Sequence, residues 1–114
     1  EQVFDSEIKD IEVFINIASF QEMSISTVKN YFKFMRSQVE ANEVVLYCCN
    51  RSVKELPAGE IVAFANYGWH TEDKIFFDGP CDWYSHYPQN FPPVWKKFDG
   101  EIVHRLAKLK KVIQ

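Results

Sequence analysis

Glu22 and His86 are the side chains of this chain best suited to accept a proton, because each follows or sits among residues that could hold a ligand. Glu22 closes Ser19-Phe20-Gln21-Glu22, a polar tip directly behind an apolar run. His86 lies among Trp83, Tyr84, Tyr87 and Phe91. A carboxylate or an imidazole there can serve as a general base. Each also has a plainer use. Glu22 can stabilise the N-terminus of a following helix, worth ~0.3–1 kcal/mol, and a loop histidine can be a packing or surface residue. Ser19 lacks a G-x-S-x-G context, so nothing marks it as a nucleophile. Asn16 and Asn50 could donate hydrogen bonds to a ligand or simply form turns. Trp69, Trp83 and Trp95 suit a flat apolar face such as a sugar, and equally a small core.

The elements that must position these groups are legible in outline. Ile11-Glu12-Val13-Phe14-Ile15-Asn16-Ile17 is β-branched and aromatic, and predicts a strand buried on both faces. Ser24 or Ser26 can cap a helix. Ile25, Val28, Tyr31, Phe32, Met35 and Val39 then recur at three- and four-residue steps opposite Lys29, Asn30, Lys33 and Arg36, and Asn42 is the expected stop. Glu43 to Cys49 predicts a second buried strand, completing a right-handed βαβ unit. Its polar end, Asn50-Arg51, falls at the same sheet edge as Ser19 to Glu22. Open α/β sheets put their ligand crevice at that edge, outside the carboxyl ends of the strands.

Downstream, Leu56-Pro57-Ala58-Gly59 is a turn, and 60–67 a short strand or hairpin arm. Lys74 to Asp78 predicts a third strand, stopped by Gly79-Pro80. Cys81 to Pro93 is a long aromatic loop, of the kind more often functional than idle. Segment 101–109 fits a helix by spacing and a closing strand by composition.

A chain of 114 residues, 46% hydrophobic and 16% aromatic, makes one cored domain. Its net charge of −3 argues against a dedicated nucleic-acid binder. Residues 1–22 carry six acids against Lys9, and residues 96–114 carry six cations against Asp99 and Glu101. Complementarity between the two ends is the favoured reading, with a phosphate-facing tail as the alternative. Three cysteines make no disulfide framework, and Cys48 and Cys49 in an apolar strand point to reduced thiols and a cytoplasmic protein. Neighbours on a strand face opposite ways, so Cys48, Cys49, Cys81 and His86 are not expected to share a metal ion. No signal peptide or membrane-length apolar run is present. No G-x-G-x-x-G or P-loop occurs either, so a nucleotide is not held in the usual way. The first residue is Glu1 rather than Met, which suggests a piece of something longer.

The motifs Asn16-Ile17-Ala18-Ser19-Phe20-Gln21-Glu22-Met23 and Tyr47-Cys48-Cys49-Asn50-Arg51 resemble those of the sugar O-methyltransferases of bacterial surface-glycan gene clusters. The likeness continues through Tyr67-Gly68-Trp69, Lys74 to Asp78, Cys81-Asp82-Trp83 and His104-Arg105-Leu106, and so spans roughly residues 11–109. It implies an α/β fold that is a partial Rossmann-like methyltransferase sheet: strand, helix and strand followed by a C-terminal strand pair. Strands four and five of seven would flank the helix, 74–78 would be the sixth, and 101–109 an antiparallel seventh. The cofactor implied is S-adenosylmethionine, with Asn16 near it. The Gly-rich loop and the ribose-binding acid of the family have no counterpart here, so the chain resembles only the C-terminal half and is not expected to turn over alone. Glu22 or His86 would be the base for a sugar hydroxyl; Ser19, Gln21, Asn50 and Arg51 would hold the glycan acceptor, and Trp69 or Trp83 would stack on it.

Two other classes compete. A non-catalytic binding or assembly module would use the unneighboured edge of strand 11–17 to recruit the missing N-terminal half or a second copy. A self-contained hydrolase built on Glu22 and His86 lacks an accompanying nucleophile.

Overall fold

A computed structural model of the protein describes residues 10–83, 86–89, 94–97 and 100–111. In chain order these form β1 (Asp10–Ile17), a 3-10 turn (Phe20–Glu22), helix α1 (Ile25–Ser37), β2 (Asn42–Arg51), β3 (Val53–Glu55), β4 (Ile61–Ala63), a second 3-10 turn (Phe64–Asn66), β5 (Lys74–Pro80), β6 (His86–Gln89), β7 (Val94–Lys97) and β8 (Ile102–Lys108). The main sheet has the order β1-β2-β8-β5. β1 and β2 are parallel, and β8 runs antiparallel to both of its neighbours. Hairpins β3-β4 and β6-β7 stand apart from it. The fold is thus mixed α/β, with one helix on a four-stranded sheet.

α1 forms where its apolar spacing predicts. Ser24 is the N-cap, its hydroxyl accepting from the Thr27 N–H, and Glu60 reaches in from the β4 side to accept the Ile25 N–H at 3.0 Å. Those two acceptors occupy donors that a helix start leaves open. Val28, Phe32 and Met35 bury against Val44, Leu46 and Cys48 of β2, with Val62, Phe64, Tyr67 and Leu109 closing the core. Gly68 backs directly onto Phe32. A Cβ there would lie 2.9 Å from the Phe32 ring, and its φ of +147° is one that side chains rarely adopt.

Five sequence expectations are corrected. β1 is not buried on both faces: Phe14 packs under α1 against Phe34, but Ile11, Val13 and Ile15 are 65%, 55% and 68% exposed, because no described element covers that side. Asn42 does not stop the helix. The helix ends at Ser37 with Gln38 as its cap, and Asn42 opens β2. Gly79-Pro80 does not stop β5, which pairs as far as Pro80 with Val103; β5 is an edge strand, where a missing N–H costs no ladder bond. Part of the aromatic loop is strand β6, paired with β7. Arg36, expected on the solvent side of the helix, instead turns back toward Asp73, its side chain 11% exposed.

Segment 101–109 is strand β8, not helix. Its apolar residues satisfy helical spacing because they fall on both faces of a central strand, so the alternation of a one-sided strand is missing. Val103, Ala107 and Leu109 face the α1 side, while Ile102 packs with Cys49 and Cys81 on the other. Cys48 and Cys49 accordingly face opposite ways, and all three thiols are free and buried. Burial pushes Cys48 and Cys49 up to about 12.

The C-terminal segment is fixed to the helix through Arg36. Its guanidinium makes two 2.7 Å bonds to the carboxylate of Asp73 and further bonds to the carbonyls of Gly68 and Lys110. The Asp73 side chain is 1% exposed and also accepts the N–H groups of His70 and Lys110. Burial alone would raise this carboxyl, but Arg36 and the two N–H donors outweigh it and hold it below the usual carboxylate range. A carboxylate lowered on folding contributes stability that is complete above its unfolded value, about pH 4, and is lost as pH falls through the folded one. Asp73→Asn should therefore cost about 3 kcal/mol at pH 7 by leaving the Arg36 charge unpaired. In urea titrations the gap to the wild type should narrow steadily below about pH 4.

Candidate functional site

The carboxyl ends of β1 and β2 meet in one polar junction. The chain leaves β1 through Ala18, whose φ of 60° is left-handed and whose N–H donates to the Cys49 carbonyl at 2.7 Å. That turn brings the 3-10 segment back over the end of β2. Asn50, with no exposed surface, then ties the loop down. Its Oδ1 accepts the Gln21 N–H at 3.1 Å, and its Nδ2 donates to Asn16 Oδ1 at 3.1 Å. Asn16 Oδ1 also accepts the Phe20 N–H at 2.9 Å. Gln21 returns the contact across the junction, its Oε1 accepting the Arg51 N–H at 2.7 Å. Three side-chain amides thus satisfy backbone donors that a tight turn would otherwise bury unpaired.

This geometry assigns holding work to Asn16, Gln21 and Asn50. Ser19 makes no side-chain capping bond and lines a cleft of about 260 Å³ with Asn16, Phe20 and Tyr31, open beside the free edge of β1. Glu22 projects from the same turn and pairs with Lys54 of β3 at 2.8 Å. That hydrogen bond is the chief cause of its lowered pKa, aided by the positive charge of Arg51, so it stands ionised at neutral pH. Glu22 and Arg51 therefore share one end of the sheet. The Nε of Arg51 is buried with no hydrogen-bond partner among the described residues.

The aromatic candidates are not gathered at this junction. Trp69 is a packing residue on the α1 side: its Nε1 donates to the Phe64 carbonyl at 2.8 Å and the Arg105 guanidinium lies 4.6 Å from its ring centre. Trp83 lies on the other face and is 59% exposed. His86 belongs to β6 opposite Lys97, and its side chain lies outside the described part of the structure.

Sequence reading missed a row on the open face of the sheet. Trp83 Nε1 donates to the Tyr47 hydroxyl at 2.8 Å, and that hydroxyl lies 2.9 Å from His104 Nδ1. An indole can only donate, so the phenol oxygen accepts from Trp83 and shares a second hydrogen bond with the imidazole. Burial raises Tyr47 to about 12, so it stays protonated through neutral pH. Only the β2–β8 register, which sets Cys49 opposite His104, reveals this row; no local signal marks it.

No helix among the described residues is long and apolar enough to cross a membrane, and no cluster of potential metal ligands occurs among them. No protein family, curated protein or solved structure matches the chain.

Two substitutions test the junction. Asn50→Ala removes the acceptor of the Gln21 N–H and the partner of Asn16, and should cost about 2 kcal/mol. Hydrogen exchange of the Phe20 and Gln21 amides should quicken more than that of the α1 core. Ala18→Gly relieves a left-handed conformation worth about 1–2 kcal/mol in an L-residue, offset by about 0.5–1 kcal/mol of unfolded-state entropy. Denaturant unfolding should show it neutral or slightly stabilising, while Ala18→Val should cost about 1–3 kcal/mol.

Proposed function

We propose that this chain is the C-terminal portion of an S-adenosylmethionine-dependent O-methyltransferase acting on a sugar hydroxyl of a bacterial glycan. The observation that carries the reading is the junction itself. The two motifs of the resemblance, Ser19-Phe20-Gln21-Glu22-Met23 and Cys48-Cys49-Asn50-Arg51, interlock at the carboxyl ends of adjacent parallel strands through Asn50 and Gln21. Ligands of open α/β sheets bind outside such ends. The sheet order supports it too. Relative to the doubly wound order 3-2-1-4-5-6, β1, β2 and β5 take places four, five and six, with β8 inserted antiparallel between the last two.

The described residues do not make a site for the whole cofactor. The cleft at Ser19 and Asn16, about 260 Å³, is smaller than the ~300–1,000 Å³ of a complete small-molecule pocket and is open on the β1 side. It suits one end of such a ligand. What the chain supplies is the acceptor side. Arg51 has a buried Nε that needs an acceptor oxygen, and Glu22 is an ionised carboxylate one residue beyond Gln21. Trp83 presents an exposed ring on the open face for the apolar side of a sugar. Proton removal by Glu22 requires that it exchange Lys54 for the acceptor hydroxyl; otherwise His86 is the remaining base.

Among the described residues β1 has no second neighbour, which favours one other reading, an assembly module that pairs through that edge. Two measurements separate the readings. In the first, the gene's full-length product is given methyl-labelled S-adenosylmethionine and a surface-glycan acceptor. Label transfer is expected, reduced about 10²-fold or more when the true base, Glu22 or His86, is changed to alanine. Unchanged turnover in both variants removes both as bases. In the second, the 114-residue chain is followed by light scattering. A dimer lost on placing lysine at Val13 and Ile15, together with no label transfer by the full-length product, replaces the methyltransferase reading with the assembly one.

A further inference from the structure

A roomier cleft than the one at Ser19 lies away from the junction, between α1 and the turn at Gly68–His70. Its volume is about 690 Å³, well within the ~300–1,000 Å³ range of small-molecule sites. Half-buried Trp69 gives it an apolar floor, at the bottom of which Phe32 is only 2% exposed. Gly68 lies directly against the Phe32 ring, so that a Cβ there would press into it. Around it stand Lys29, Lys33, Arg36 and Lys111. No acid among the described residues lines the cleft, although the chain carries 16 acids against 13 lysines and arginines.

The four cations are not equivalent. Arg36 is consumed by Asp73 and by two carbonyls, and Lys111 pairs with Glu40. Lys29 and Lys33 have no anionic partner among the described residues. They are four residues apart on one helix, which sets their Cβ atoms about 5–6 Å apart on one face. His70 adds a third group: its Nδ1 accepts the Glu72 N–H at 3.2 Å, so the proton of the neutral ring is on Nε2, free to donate. Two ammonium groups and an imidazole N–H over an apolar floor are donors without acceptors. Lysine serves phosphate as a point charge, without the planar match that arginine gives carboxylate.

We propose that this cleft binds an organic phosphate, its phosphate group between Lys29, Lys33 and His70 and its ring against Trp69. The proposal is independent of the methyl-transfer reading, since none of these residues belongs to the junction. Amide chemical-shift titration of the 114-residue chain tests it, with glucose 1-phosphate, inorganic phosphate and glucose as probes at low salt. Saturable shifts confined to Lys29, Lys33 and the Gly68–His70 turn are expected with glucose 1-phosphate, weaker ones with inorganic phosphate, and none with glucose. The double variant Lys29→Gln/Lys33→Gln should bind at least about tenfold more weakly. Both positions are exposed, and an unchanged thermal midpoint shows that the fold is kept. Lys74→Gln, on β5, should bind as the wild type does. Equal affinity for the two phosphates would overturn the ring contact. Equal binding by the double variant, shifts spread over every lysine, or a response to heparin alone would overturn the site.

Discussion

A buried amide with four bonding positions has to find partners, and Asn50 finds them only if the chain beyond β1 folds back over β2. Leaving such a group unpaired costs about 1–3 kcal/mol per lost bond. The side chain has no contact with water, so the loop at 18–22 and the end of β2 must close together or not at all. Asn16 adds a second demand, since its carbonyl oxygen serves both Asn50 and the Phe20 N–H. The left-handed backbone of Ala18 is the local cost of that closure. Strain of this kind persists only where surrounding contacts over-determine it, and it collects at ligand sites. The polar residues at the strand ends are therefore divided in two groups. Asn16, Gln21 and Asn50 hold the frame, and Ser19, Glu22 and Arg51 are left at its surface.

A second constraint fixes the other end of the molecule. β8 must return antiparallel between β2 and β5, and the chain leaving it passes α1. Asp73 accepts from Arg36 of the helix and from the N–H of Lys110 beyond β8, so one carboxylate joins helix, turn and terminal segment. The same carboxylate neutralises Arg36, so the positive character of the adjacent cleft comes from Lys29 and Lys33. Stability and surface charge are thereby separated: the buried pair does the first, and the exposed lysines supply the second.

The parts that could be read from the sequence are those set by local pattern. α1 was visible because Val28, Phe32 and Met35 recur at helical steps, and β2 because six apolar residues run together. The exposure of β1 was not, since Ile11, Val13 and Ile15 have the same composition whether or not anything lies on them. β8 was ambiguous because its apolar residues fall on both faces, which removes the alternation that marks a strand. The hairpin β6-β7 was hidden behind three prolines. Contacts between distant residues were the least legible: Glu22 with Lys54, Arg36 with Asp73 and Tyr47 with His104 all depend on register. Of the site, the convergence of Ser19–Glu22 with Asn50-Arg51 followed from parallel pairing alone. The division of those residues into frame and surface did not.

The open face of the sheet limits what can cover it. β1, α1 and β2 form a parallel crossover, a unit whose general hand is right, and α1 lies on one face. A strand added beyond β1 and wound in the same direction would put its own helix on the face that α1 already occupies. Ile11, Val13, Ile15 and Phe77 would then stay bare on the other side. A contiguous apolar face left bare by the described residues marks a surface that something else covers. Within one chain, right-handed helices reach it only from strands that wind away from β1 in the opposite sense. The free edge of β1 would then be where the winding reverses, and its carboxyl end, at Ala18 and Ser19, the place where an open α/β sheet forms its crevice. The polar junction and the uncovered face therefore point to the same end of β1, one through hydrogen bonding and the other through handedness.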